Sequence, residues 1–172
     1  MKTIYLVTHG PTEKNVPDPG MTNEGLEMVR NLRTQLATFL PPEGPTQIHV
    51  GTGRRQWQIV QTLGFSHREN LYVSDFWGGA ATVTSTKEVI LLGHGLQIPR
   101  EKYLTIAHLQ PFYSQTIAGL PDKSLICSGR PVLVRLGMQE EDCSSGSLYA
   151  LHVQDNGQIK IELLIAGVCL IK

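Results

Sequence analysis

The chain opens on a short apolar run, residues 4–7, that leads straight into Thr8-His9-Gly10-Pro11-Thr12. An unbroken apolar stretch of this length, stopped by a glycine turn, reads as a buried strand. Such strands belong to open α/β sheets, where helices cover the faces and chemistry sits beyond the carboxyl ends of the strands. His9 falls at that place. A histidine there can act as a nucleophile toward phosphorus if positive charge and backbone N–H donors neutralise the anionic substrate. It can equally do no more than hydrogen-bond in the tight turn that Gly10 makes possible. The first role requires the remaining sequence to supply an anion site.

Two later stretches have the order that an anion site needs. Residues 47–50 read as a strand, followed by Gly51-Thr52-Gly53-Arg54-Arg55 and a helical stretch over 56–63. A helix start points backbone N–H groups at an anion, and an arginine presented there adds a bidentate fork. The same order returns in Ser124-Leu125-Ile126-Cys127, Ser128-Gly129-Arg130 and a helix over 131–136, with Pro131 suited to its first position. Between His9 and these stretches lies an amphipathic helix: Leu26, Val29, Leu32, Leu36 and Phe39 recur at helical spacing, Thr22 can cap its start, and Pro41-Pro42 stop it. The tail, 147–153 and 158–165 around Asp155-Asn156-Gly157, is a hairpin signal. The expected fold is α/β, a three-layer α/β/α sandwich with a mostly parallel central sheet and a C-terminal hairpin, in a single domain over residues 1–172.

Composition narrows the function classes. Fifteen basic residues balance fifteen acidic ones, which argues against a nucleic-acid backbone or an anionic membrane as the main partner, so any anion site is local. Cys127, Cys143 and Cys169 form neither a zinc spacing nor a disulfide framework and read as reduced structural thiols. The amino-terminal run is too short for a signal sequence or a span, so a soluble cytoplasmic protein is expected. His49, His67, His108 and His152 read as surface or satisfied core residues. The stretch through Gly93-His94-Gly95 reads as a hairpin, with a second strand-end histidine site as its alternative. No metal-ligand spacing stands out, and no cofactor is expected. Trp57 is expected in the core; Trp77, beside Asp75 and two glycines, belongs either to the core or to the mouth of a site.

Taken together, Thr8-His9-Gly10 with Thr12 and Asn15, Met21-Thr22 with Gly25, and Gly51 through Arg55 with Gln58 resemble the histidine phosphatase superfamily, which includes the cofactor-dependent phosphoglycerate mutases. The resemblance implies that His9 attacks phosphorus and that Arg55 is the second-motif arginine. It further implies Asp75 as general acid, and Thr8, Gly10, Asn15, Thr22, Ser128, Gly129 and Arg130 as phosphate-binding or supporting groups. It also implies a phosphorylated small molecule or phosphoprotein as partner.

Two positions depart from the family pattern. Thr8 stands where the family has an arginine before the nucleophile, and Ser128 where it has a second histidine. A charge-assisted hydrogen bond contributes about 1.5 to 3 kcal/mol, so losing two lowers phosphoryl transfer by roughly two to four orders of magnitude unless Arg54 or Arg130 substitutes. The resemblance therefore implies either a diverged, weakly active phosphomonoesterase working through phospho-His9 or a catalytically silent phosphate-binding module. It also implies that putting Arg at 8 and His at 128 together raises hydrolysis at least about tenfold.

Overall fold

The computed structural model describes residues 1–78, 81–82, 89–92, 97–99 and 113–167, with side chains for 1–74, 76–78 and 113–167. His94, His108 and Cys169 lie outside the described residues, as does the side chain of Asp75.

β1 (Lys2–Thr8) forms where the apolar run predicts it, with Ile4, Leu6 and Val7 fully buried. It joins β2 (Ile48–Val50), β3 (Leu71–Val73), β7 (Leu125–Ser128), β8 (Leu148–Val153) and β9 (Ile159–Ile165) in a six-stranded sheet of order β3-β2-β7-β1-β8-β9, in which it is central. The pairs β1–β7, β7–β2 and β2–β3 are parallel, while β1–β8 and β8–β9 are antiparallel. The sheet is thus mostly parallel and ends in the expected hairpin. Gly157, at φ 82°, turns the chain between β8 and β9. A separate small sheet pairs β4 (Ala81–Thr82) with β5 (Val89–Leu92) and β5 with β6 (Gln97–Pro99), both antiparallel; Gly93-His94-Gly95 lies outside the described residues.

The two faces of the large sheet carry different helices. α1 (Asn23–Phe39) is capped by Thr22, whose hydroxyl oxygen accepts from the Gly25 N–H at 3.1 Å, and it buries Val29, Leu32 and Leu36. α2 (Arg54–Leu63) ends on Gly64 in the left-handed conformation and buries Trp57, Ile59, Val60 and Leu63. Both pack with Tyr5, Val7, Ile48, Val50 and Cys127. On the opposite face, α3 (Tyr113–Gly119) contributes Ile117, and α4 (Arg130–Arg135) contributes Val132 and Leu133 against Ile4, Leu6, Ile126 and Tyr149. Alternate residues of each strand thus serve opposite cores, which is why the strands read as continuous apolar runs. Phe39, assigned by its spacing to the helix's apolar stripe, is 36% exposed, although its ring still meets Tyr5 at 6.0 Å.

His49 sits in this core at 5% exposure, stacked on Tyr72 at 5.5 Å and hydrogen-bonded through Nε2 to Gln47 Oε1 at 3.0 Å. Burial pulls its pKa down to about 4 from the ordinary 6.5. The unfolded chain therefore takes up this proton first, and stability falls as pH drops from 6.5 toward 4, by up to about 3 kcal/mol. We expect His49→Gln to flatten the pH dependence of unfolding free energy across this window relative to wild type. Parallel denaturation curves at pH 7 and pH 4 check it, and an equally steep loss in the variant would contradict it.

Candidate active site

The carboxyl ends of the parallel strands β1, β2, β3 and β7 share one rim, and the segments leaving them interlock there. His9 follows β1 and donates its N–H to the Ser128 carbonyl at the end of β7, 3.0 Å away. Gly51, after β2, donates to Cys127 O at 3.3 Å, and Thr52 donates to Gly78 O, beyond β3, at 2.8 Å. This is the part of an open α/β sheet where a ligand meets several loops at once.

Two glycines set the position of His9. A Cβ on Gly10 would lie 2.5 Å from the Cα of Gly25, and one on Gly25 would lie 2.5 Å from the Pro11 carbonyl oxygen. The first turn of α1 therefore crosses the histidine loop at backbone contact, a distance only glycine permits. Thr22 secures the crossing: its N–H and its hydroxyl both donate to Pro11 O, at 2.9 and 3.3 Å.

The imidazole is oriented by its own turn. His9 Nδ1 lies 2.9 Å from the Gly10 carbonyl oxygen, which can only accept, so Nδ1 carries the proton and the neutral ring has its lone pair on Nε2. Nε2 faces Gly129, where an added Cβ would stand only 2.9 Å from it. Burial, chiefly, together with the cations of Arg55 and Arg130, lowers the His9 pKa, while the Gly10 hydrogen bond opposes this. Arg55 and Arg130 thus act on the same imidazole from the starts of two different helices, and both favour its neutral form.

The adjacent arginine is committed elsewhere. Arg54 donates its backbone N–H to Asp18 Oδ1 at 3.1 Å, and its guanidinium lies 3.6 Å from Glu13 Oε2. Its side chain is turned to the loop that precedes α1, where a Cβ on Gly20 would lie 3.1 Å from Arg54 Nε. Asp18, unremarked by the sequence reading, thereby caps α2 in place of Gly53, which has no side chain to do so. Gln58 closes the same joint, its Oε1 accepting from Met21 N at 2.6 Å. Met21 Sδ in turn lies 3.2 Å from the Gly10 N–H.

The other predicted positions are distributed unevenly. Asn15 is exposed, with φ 59°, a conformation asparagine tolerates. Thr8 is fully buried: its hydroxyl donates to Ser144 O at 2.8 Å and accepts from Ser147 N at 3.1 Å. Ser128 is 2% exposed, and its hydroxyl donates to the Trp77 carbonyl. Both hydroxyls hold loops to the ends of β1 and β7. Trp77 is 2% exposed and packs its ring against Phe76 and Tyr113, which places it in the core and not at a mouth. Asp75 heads the single turn Asp75–Trp77 on this rim. Among the described residues no group of three or more His, Cys, Asp or Glu side chains is arranged to hold a metal ion, and no helix is long and apolar enough to cross a membrane.

No family model matches the sequence, and no curated protein matches it at the sequence level. Solved structures do match in fold. The protein histidine phosphatase SixA complexed with tungstate is 14% identical, with 96% of this chain and 97% of that chain covered and a TM-score of 0.61. A mycobacterial glucosyl-3-phosphoglycerate phosphatase complexed with VO3 is 13% identical, over 98% of this chain and 100% of that one, with a TM-score of 0.56. A protein from Thermus thermophilus is 18% identical, over 94% of this chain and 98% of that one, with a TM-score of 0.53. At these identities the likeness is one of fold, and it extends over nearly the whole of each chain.

Proposed function

We propose that this chain, whose fold is that of the histidine phosphatase superfamily, is a phosphomonoesterase-like protein that accepts a phosphoryl group on His9 Nε2. The observation that carries the reading is the placement of His9: Nδ1 is tied to the Gly10 carbonyl, Nε2 is left facing Gly129, and burial with the cations of Arg55 and Arg130 favours the neutral ring. A lone pair within the field of two arginines suits attack on an anionic phosphorus centre. In the first step the Nε2–P bond forms as the P–O bond to the leaving alcohol breaks, and that oxygen takes a proton. In the second, water attacks phosphorus, the Nε2–P bond breaks, and inorganic phosphate and free imidazole result. Asp75 is the proposed proton donor, tested by Asp75→Asn with substrates whose leaving groups differ in basicity. Substrate class is proposed as a phosphorylated metabolite or phosphoprotein.

A second reading draws on the buried hydroxyls of Thr8 and Ser128, which bring no charge to the rim. With those charges missing, the site can bind a phosphoester without completing transfer. Hydrolysis of an aryl phosphate, vanadate inhibition and calorimetry with phosphate separate the two. Turnover blocked by vanadate supports the enzyme; saturable binding without turnover supports the silent module; neither, in folded protein, removes both.

Arg54 and Arg55 give an internal contrast. Arg55→Ala is expected to lower kcat/KM by about a hundredfold, the scale of losing one preorganised donor. Arg54→Ala is expected to change it by less than about fivefold, because it breaks only a half-exposed ion pair. Equal effects would contradict the assignment. Because His9 is held below 6.5, the acid limb of the kcat/KM profile is expected below pH 6.5: activity is kept above it and lost as Nε2 takes up a proton.

A further inference from the structure

β9 is the last strand of the large sheet, and its outer side pairs with no described strand. Which of its groups face outward follows from the hairpin. Gln154 N donates to Gln158 O at 2.8 Å, so 154 and 158 form a hydrogen-bonded pair. Bonded pairs alternate along an antiparallel ladder, so the registers 152–160 and 150–162 are bonded as well. The N–H and C=O groups of Ile159, Ile161 and Leu163 are therefore left on the open edge. Leu163 is also 46% exposed, beside the half-buried Ile159 and Ile161 on the same face of the strand. An edge of this length, unpaired among the described residues, invites another strand.

We propose that β9 is the docking surface for a second copy of this chain, joined antiparallel about a two-fold axis through Ile161. The sequence of the strand selects that occupant and that register. Outward-facing residues must pair with outward-facing residues, so a two-fold axis can pass through residue 160, 161 or 162. An axis at 160 sets Lys160 against Lys160, and one at 162 sets Glu162 against Glu162. Only the axis at Ile161 sets Lys160 opposite Glu162 of the second copy, twice by symmetry. These are non-bonded pairs, in which cross-strand side chains come closest. The same register lays Ile159 against the exposed Leu163 of the second copy. Glu162 already holds His152 Nε2 at 2.6 Å, which fixes its carboxylate on that face of the sheet. The result is an isologous contact continuing the sheet across two chains.

The contact rests on one strand, so a dissociation constant of about 10 to 100 µM is expected, in the range of small interfaces. Sedimentation equilibrium on the whole chain, up to about 500 µM, reads it. Lys160→Glu leaves the His152–Glu162 bond intact and is expected to weaken dimerisation at least about tenfold. The exchanged pair, Lys160→Glu with Glu162→Lys, is expected to restore wild-type association. Ile161→Pro removes an outward N–H that β8 does not use and is expected to give a monomer with an unchanged circular dichroism spectrum. If that variant does not fold, the charge exchange decides alone. A wild-type protein that stays monomeric over the whole range overturns the proposal. So does a dimer indifferent to Lys160→Glu, or one that the exchange fails to restore.

Discussion

Replacing His9 by alanine is expected to lower hydrolysis of an aryl phosphate at least about a thousandfold while leaving the fold intact. The size follows from the role: without Nε2 the phosphoryl group loses its proposed acceptor, and water must attack directly. The fold is expected to survive because the hydrogen bond of the side chain is to its own neighbouring carbonyl and ties no distant segment. The backbone bonds of residue 9, to Ser128 O at 3.0 Å and from Gly146 N at 2.9 Å, do not depend on the imidazole. Steady-state rates with a circular dichroism melt check both halves. Residual activity within tenfold of wild type, in protein free of contaminating phosphatase, would remove His9 from the mechanism.

The second large effect concerns stability. Gly25→Ala is expected to destabilise the protein by about 3 kcal/mol, although helix propensity alone predicts a gain of about 1 kcal/mol at this position in α1. The two terms have opposite signs, and magnitude decides. A methyl group 2.5 Å from the Pro11 carbonyl oxygen cannot be relieved by rotating a side chain, because the obstacle is backbone. Pro11 O also receives the Thr22 N–H at 2.9 Å, so moving it costs the cap of α1. Gly10→Ala meets Gly25 Cα at the same distance and should cost a similar amount. Because this contact positions the histidine loop, both variants are expected to lose activity in proportion greater than their loss of folded protein. Chemical denaturation measures the first quantity, and a stabilised Gly25→Ala would contradict the close approach.

Much of this was legible in the chain because short-range rules governed it. The buried strand before His9, the Thr22 cap, the glycine turn at 157 and the strand–turn–helix order at Arg55 and Gly129 each depend on a few consecutive residues. The choice of Arg55 over Arg54 followed from register alone. What sequence could not supply was partnership across distance. Nothing local to Thr8 announces that its hydroxyl joins Ser144 and Ser147, more than a hundred residues away. Nothing local to Asp18 announces that it caps a helix beginning at Arg54.

These long-range ties change one expectation drawn from the family pattern. An arginine at position 8 would have to displace the Ser144–Ser147 contacts of a fully buried side chain, and a histidine at 128 would have to leave the Trp77 carbonyl. Thr8→Arg with Ser128→His is now expected to destabilise the chain before it can raise the rate, unless the 144–147 loop moves aside. Unfolding curves beside rates distinguish the two effects.

A crystal structure with vanadate tests the central claim most directly. Vanadium is expected to be bonded to His9 Nε2 beside Gly129, with the Arg55 guanidinium within hydrogen-bonding distance of its oxygens. Vanadate bound elsewhere, or a His9 site still empty at saturating vanadate, would contradict it.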